Sequence, residues 1–173
     1  MIPEQLNGTY FAEEDRVMLK IRTKDDAEYR LWLTRQITQK MLAVIEKISI
    51  KNLEASSKNK SLPKNVIATM NEMLQKNIEN QTDLSEKYRS TAKLPLGAEP
   101  ILITNATFTI FKNSKVTMKC ILKLKESIEF EFNMTTLAKV RVLLTRLSEK
   151  GKWELNKSLE TNSDDVKPPQ TIH

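Results

Sequence analysis

The segments RVMLKIR at residues 16–22 and EYRLWLT at residues 28–34 decide the fold of this chain. In the first segment an apolar residue occupies every second position from Val17 to Ile21, which is the period of a strand with one buried face. The polar turn at residues 23–26 reverses the chain, and apolar residues alternate again from Tyr29 to Leu33. The two segments therefore predict a β-hairpin with one buried face.

A helical pattern follows this hairpin directly. Thr34 is placed to cap a helix, because its hydroxyl can accept a hydrogen bond from a free amide of the first turn. The next apolar residues are spaced mainly by three and four positions, which puts them on one stripe of a helix that faces the sheet. These residues are Ile37, Met41, Val44, Ile45 and Ile48.

The same pattern returns 99 residues later in the chain. At this shift Val17 aligns with Val116 and Leu33 with Phe132, and the register continues without a gap into the next helical stripe. Because a strand period and a helix period agree in one register, the sequence predicts an internal repeat. Most charged residues between the paired positions do not match, so the predicted similarity belongs to the buried face.

We interpret the chain as an α+β protein of two β-β-β-α repeats, each an antiparallel sheet packed by one helix and the two joined by a long central helix. A leading strand is clear near residues 101–112, and its shorter counterpart lies near residues 6–11. Thr135 or Thr136 is expected to cap the second repeat's helix, and Gly151 to end it. The predicted units are residues 1–53 and 99–151 for the repeats, 54–98 for a linker and the central helix, and 152–173 for a polar C-terminal tail.

The central helix has two interpretations. It is expected to begin near Pro63 and to run to about Arg89, with a broken apolar stripe. Either it bridges the two halves and packs on them, or it is a dimerisation helix in which polar positions set the register. The stripe consists of Ile67, Met70, Leu74, Leu84 and Tyr88, interrupted by Asn77 and Gln81.

The composition excludes several classes of functional site. With 3 Gly, 1 Cys and 1 His in 173 residues, the chain lacks what a glycine-rich phosphate loop, a thiol–histidine dyad, a zinc cluster or a disulfide framework needs. It also has no apolar run of the ~20 residues that a membrane-spanning helix requires. Cys120 lies in an alternating apolar run and is expected in the core. We therefore expect a soluble, cytoplasmic protein without cofactor or metal.

The sequence favours a binding protein over an enzyme. A general base must be held within hydrogen-bond reach of the proton it removes, and His173 lies in the predicted polar tail. The acidic runs at residues 13–15, 25–26 and 164–165 lie in predicted turns or in the tail, where neighbouring carboxylates promote solubility. We therefore predict no catalytic residue.

Basic residues lie on the outward faces of both predicted hairpins, in a chain with a net charge of +6. On the first hairpin three basic side chains surround Trp32, which combines charges for phosphate with a ring on which a base can stack. On the second hairpin lysines occupy the corresponding face, opposite Glu129 and Glu131. The candidate nucleic-acid-binding residues are Lys20, Arg22, Arg30, Trp32, Lys119, Lys123 and Lys125.

The sequence leaves three interpretations of the chain's surface open. Paired units of several antiparallel strands followed by one helix resemble, in element order, the PUR-repeat and Whirly single-strand-binding proteins, although each unit here has three predicted strands and not four. This resemblance implies single-stranded nucleic-acid binding and assigns no residue role. The second interpretation is a protein-interaction or assembly module, as a homodimer or with another protein, that acts through sheet edges or the central helix. The third is an ordinary solvated sheet face with Trp32 covered by another segment.

Overall fold

The computed structural model describes residues 1–55, 62–81, 88–91, 93–111, 114–123 and 126–154. Its elements form an α+β protein with one six-stranded mixed sheet and three helices. The α+β class predicted from the sequence is confirmed. In chain order the elements are β1 (Pro3–Phe11), β2 (Arg16–Thr23), β3 (Glu28–Thr34), α1 (Arg35–Ala55), α2 (Lys64–Gln81), β4 (Ile101–Ile110), β5 (Val116–Leu122), β6 (Ser127–Phe132) and α3 (Met134–Lys150).

The sheet follows the chain order from β1 to β6 and joins the two halves. Neighbouring strands are antiparallel except β3 and β4, which pair in parallel at Leu31 with Ile101 and at Trp32 with Leu102. The prediction of two separate antiparallel sheets is therefore wrong. Strand edges with unpaired amide and carbonyl groups are unfavourable, and the parallel junction satisfies part of the edge that each three-stranded half would otherwise expose.

The hairpins of the two halves have corresponding registers. β2 pairs with β3 at Val17 and Leu33, and β5 pairs with β6 at Val116 and Phe132, each 99 residues further on. The leading strands correspond as well, since both break register once near their start, β1 after Pro3 and β4 after Ile103. Their offset is 100 residues and not 99.

The change of offset comes from the first turn of each half. Four residues separate the paired positions Phe11 and Arg16, whereas three separate Phe111 from Lys115. The β3–β4 junction has a counterpart too, because the Met1 amine donates to the carbonyl of Glu129 at 3.1 Å and the Glu131 amide donates to the carbonyl of Met1 at 2.7 Å. The backbone hydrogen bonds therefore follow one scheme in both halves.

The helix ends agree with the sequence at one position and differ at another. The Ile37 amide donates to the Thr34 hydroxyl at 3.3 Å, which confirms the first cap. The cap of α3 is Asn133, whose Oδ1 accepts from the Thr136 amide at 2.7 Å, so the choice of Thr135 or Thr136 is wrong. α3 begins at Met134, so Thr135 and Thr136 lie inside its first turn and Asn133 is the residue placed to accept from a free amide of that turn.

The hydrophobic core lies between the inner face of the sheet and helices α1 and α3. Val17 and Val116 are both fully buried in it, as are Leu31 and Phe130. Cys120 is buried there as well, and burial raises the pKa of its thiol to about 12. Both halves therefore contribute the same strand positions to a single core.

Helix α2 packs on α1 and α3 and buries Ile67 and Asn71. The predicted extension of this helix to Arg89 is wrong at its end, because Tyr88 and Arg89 are not helical and lie against the sheet. Leu84 lies outside the described residues. No helix in the described part of the chain combines the length and apolar character needed to cross a membrane.

Trp153 is buried, although the sequence predicts it in the polar tail. Its indole donates a hydrogen bond to Asp15, which also accepts from the Tyr10 hydroxyl at 2.9 Å and pairs with Arg35 at 3.0 Å. Gly151 ends α3 with an ordinary φ of −77°, so left-handed backbone does not explain this glycine. Close approach does, because a Cβ atom there would lie 2.8 Å from the Tyr10 ring. Residues 155–173 lie outside the described residues.

We expect the Asp15 cluster to make stability depend on pH in the acid range. Hydrogen bonds from Trp153 and Tyr10, together with Arg35, lower the pKa of the Asp15 carboxyl. A lowered pKa gives stability that is present above the unfolded value of about 3.9 and is lost as the pH falls through the folded value. Thermal melts between neutral and acid pH should therefore show a smaller loss of Tm for Asp15→Asn than for wild type.

The control for this measurement is Glu149→Gln, which removes an exposed carboxylate at the end of α3. It should keep the wild-type pH dependence. Equal losses of Tm in wild type and Asp15→Asn would contradict the role given to the Asp15 charge.

Candidate nucleic-acid interface

An apolar row crosses the outer face of the sheet at the β3–β4 junction. Because side chains alternate along a strand, the neighbours of buried Leu19, Leu31 and Ile103 point outward. Met18 lies opposite Trp32, and Trp32 lies beside Leu102. We call the outward side chains of Met18, Trp32 and Leu102 the junction platform.

The junction platform is accessible at its surface. All three of its side chains are half-buried, so the cover of Trp32 that the third interpretation expects is present only in part. Phe11 packs edge-on against Trp32 with a ring-centroid distance of 5.0 Å, and Phe11 itself is 37% exposed. The contact holds the indole in place and widens the apolar surface.

Lys123 extends this row from the second half of the chain. Its backbone amide donates to the carbonyl of Leu102 at 3.1 Å, so it lies two strands from Trp32, about 10 Å away. Its side chain is exposed and forms no ion pair with another described residue. The structure thus brings together Trp32 and Lys123, which are far apart in the sequence. Lys125 lies outside the described residues.

Lys20 and Arg16 flank the junction platform on opposite sides. Lys20 is the next outward residue after Met18 along β2 and lies opposite Arg30. Its side chain makes no hydrogen bond or ion pair within the described residues. Arg16 pairs with Glu14 at 3.6 Å, and both side chains are substantially exposed. Exposed pairs of this kind contribute about 0–1 kcal/mol, so Arg16 can exchange its partner for a phosphate at little cost.

Arg22 and Arg30 are engaged within the protein. Arg30 donates to the Glu28 carboxylate at 2.6 Å and to the carbonyl of Ala98 at 2.8 Å. Arg22 pairs with Asp26 at 3.0 Å and reaches Glu4 at 3.6 Å. The sequence predicts these two arginines as phosphate contacts beside Trp32, but in the structure each already has carboxylate partners.

Residues 88–91 cover this end of the outer face. The Glu28 side chain is fully buried, and burial together with the Glu28 charge raises the pKa of the Tyr88 phenol. The Arg89 amide donates to the Gln5 side chain at 3.2 Å. The end of the first hairpin next to its turn at residues 24–27 is therefore closed. The open part of the face is the junction platform with Lys20, Arg16 and Lys123.

The second hairpin carries lysines that face glutamates. Lys119 pairs with Glu129 at 3.4 Å and Lys115 with Glu131 at 2.7 Å, and all four side chains are exposed by more than a third. On and directly beside β2, β3, β5 and β6, the outward positions among the described residues hold seven basic and three acidic residues, and Glu4, Glu14 and Asp26 add three further carboxylates that pair with Arg22 and Arg16. The basic residues are Arg16, Lys20, Arg22, Arg30, Lys115, Lys119 and Lys123, and the acidic residues are Glu28, Glu129 and Glu131.

Sequence reasoning missed Met18, Leu102 and Phe11 as members of this site. Leu102 meets Trp32 through a pairing between residues 70 positions apart, and no local pattern signals such a pairing. Met18 is visible in the sequence only as one outward residue of a strand. Its importance depends on the neighbours that the fold supplies.

Within the residues that the structure describes, no group of three or more His, Cys, Asp or Glu side chains could hold a metal ion. Comparison of the chain with protein-family models, with curated proteins and with solved structures gave no match.

Proposed function

We propose that this protein binds single-stranded nucleic acid at the junction platform, without catalysis and in the cytoplasm. The observation that carries the proposal is the continuous outward row of Met18, Trp32, Leu102 and Lys123. Aromatic side chains on which bases stack, beside a positively charged surface, are the usual composition of single-strand-binding sites.

The apolar part of the row supports stacking of bases. Trp32 is half-buried and held by Phe11, so its position is fixed before any ligand binds. A preorganised ring loses little conformational entropy on binding, and stacking on aromatic side chains contributes about 1–3 kcal/mol per base. Bases inside a duplex do not offer a free face to a flat platform, so an unpaired strand fits this surface better than a double helix.

The charges beside the row support contacts with phosphate. Lys20 and Lys123 lie on either side of Trp32 and form no ion pair within the described residues. Lysines that are not already neutralised gain most from a phosphate partner, because no existing pair must be broken. Arg22 and Arg30 are neutralised by Glu4, Asp26 and Glu28, so the unpaired positive charge beside the row comes from Lys20 and Lys123.

We also propose that the two halves are β-β-β-α repeats of one unit. The equal registers of the hairpins and the bulges near the start of β1 and β4 support this interpretation. The halves differ where the site lies, because Glu131 occupies the position that corresponds to Trp32. The stacking ring is therefore a property of the first half alone.

Fluorescence anisotropy with labelled oligothymidylate over a range of salt concentrations tests the proposal. We expect affinity to fall as salt rises, with a slope of about −0.7 for each phosphate contact. The double variant Lys20→Ala, Lys123→Ala should lower the magnitude of this slope by about 1.4, since it removes two contacts. The control Lys40→Ala, Lys51→Ala removes two exposed charges from α1 and should keep the wild-type slope.

Absence of binding at the lowest salt concentration would reject the proposal. An unchanged slope in the Lys20, Lys123 variant would reject these two lysines as phosphate contacts. Both outcomes use the intact chain, so neither depends on isolating one half.

A second candidate function is self-association through α2. Met73 is 62% exposed and Leu74 42% exposed on this helix, and Val66 is exposed about two turns earlier. Such an apolar surface on a helix is typical of a protein contact. Sedimentation velocity on the same samples separates the candidates, because a concentration-dependent dimer without nucleic-acid binding would favour this function over the first.

A further inference from the structure

Lysines recur along β5 on the outer face of the sheet. Lys115, Lys119 and Lys123 are four residues apart, so a lysine occupies every second outward position, at a spacing of about 13 Å. Lys123 ends this series beside the junction platform, and Lys115 ends it at the turn between β4 and β5. The series of lysines therefore runs from the edge of the junction platform to the residue just before β5 begins.

An exposed phenylalanine lies at that far end. Phe111 occupies the register position that corresponds to Phe11, and its amide donates to the carbonyl of Lys115 at 2.9 Å. Phe11 packs on Trp32, but the corresponding position beside Phe111 holds Glu131, so Phe111 remains 50% exposed. A half-exposed ring next to a lysine has the composition of a second stacking site.

We infer that one extended single strand runs along β5 from the junction platform to Phe111, with Trp32 and Phe111 anchoring its two ends. The inference rests on the proposed function and adds the path and length of the bound segment. One strand spacing from Trp32 to Leu102 and nine residue steps along β4 from Leu102 to Phe111 separate the anchors, a contour of about 35 Å. An extended strand of about six nucleotides covers this length, within the ~4–16 nucleotides that single-strand-binding folds occupy.

The glutamates of β6 determine which side of β5 the strand follows. Glu129 lies across from Lys119, and Glu131 lies across from Thr117 and pairs diagonally with Lys115, so both carboxylates would repel phosphates on that side. On the other side β4 presents the hydroxyls of Thr107 and Thr109, which are exposed and carry no charge. The strand is therefore placed over β4 and β5, and exposed ion pairs of about 0–1 kcal/mol leave the two lysines able to turn toward it.

The length dependence of binding tests this path. Wild type and variants are titrated at low salt with labelled oligothymidylates of about three and about eight nucleotides, chosen to span one anchor or both. Phe111→Ala should weaken binding of the longer oligonucleotide at least fivefold and change the shorter one less than twofold. Trp32→Ala should weaken both, because the platform is the primary site.

The matched control is Ile110→Ala. Ile110 is 44% exposed beside Phe111, but it pairs with buried Val116 and belongs to the opposite face of β4. It should leave both affinities unchanged, and thermal melts should show that each variant remains folded.

Each outcome of this experiment decides a different point. If Phe111→Ala has no effect on the longer oligonucleotide, or weakens both equally, the path to Phe111 is wrong while the junction platform stands. If wild type binds neither oligonucleotide, the proposed function fails and the path with it.

Discussion

Replacement of Trp32 by alanine should reduce the affinity for single-stranded nucleic acid about 5- to 150-fold. Stacking on one aromatic ring contributes about 1–3 kcal/mol per base, and about 1.4 kcal/mol corresponds to a factor of ten. Trp32 is the largest side chain of the junction platform, and Phe11 already holds it in place. The loss should appear in anisotropy titrations at constant low salt, where the phosphate contacts are unchanged.

Two further variants make this result specific. Trp32→Phe retains a ring and should keep most of the affinity, whereas a purely electrostatic site would not distinguish it from alanine. Met73→Ala removes an equally apolar but more exposed side chain from α2 and should not change the affinity. Equal binding by wild type and Trp32→Ala would show that the indole does not contact the ligand.

Single substitutions in either half of the core should destabilise the whole chain. Leu31 and Phe130 occupy corresponding strand positions, and both are fully buried in one cluster. Truncation of such side chains costs about 2–5 kcal/mol for leucine and about 3–5 kcal/mol for phenylalanine. Because a domain of this size is stable by only about 5–15 kcal/mol, Leu31→Ala and Phe130→Ala should each lower the midpoint of urea denaturation strongly.

The shape of the unfolding curve tests the continuity of the sheet. One sheet and one core predict a single cooperative transition in both variants, followed by circular dichroism and by intrinsic fluorescence. Two transitions, one of which is unaffected by each substitution, would show that the halves fold independently. The exposed-site control Met73→Ala should change the free energy of unfolding by no more than about 0.5 kcal/mol.

Local pattern predicted much of the fold, because it reflects which side chains face the core. The alternation from Val17 to Ile21 and the stripe from Ile37 to Ile48 correspond to β2 and α1, and the same holds for β5 and α3. The α+β class follows from these elements. The single sheet does not, since nothing in the sequence near Leu31 indicates that its neighbour will be Ile101.

The candidate site was predictable only in part for the same reason. Trp32 and Lys20 share one hairpin, so their common face follows from strand alternation. Leu102 and Lys123 join them through contacts between distant segments, and the partners of Arg22 and Arg30 include residues outside their own strands. The offset of 100 residues between β1 and β4 also depends on turn lengths, which hid the correspondence of Phe11 with Phe111.

Photo-crosslinking tests most directly whether nucleic acid binds at the junction platform. An oligonucleotide with iodouracil in place of thymine is bound to the wild-type protein, irradiated and mapped by mass spectrometry after digestion. Because iodouracil reacts with aromatic rings that it touches, we predict that the crosslinked peptide contains Trp32, with Phe11 as the neighbouring ring. Crosslinks confined to peptides of α2, or none at an oligonucleotide concentration that saturates the anisotropy signal, would contradict the account.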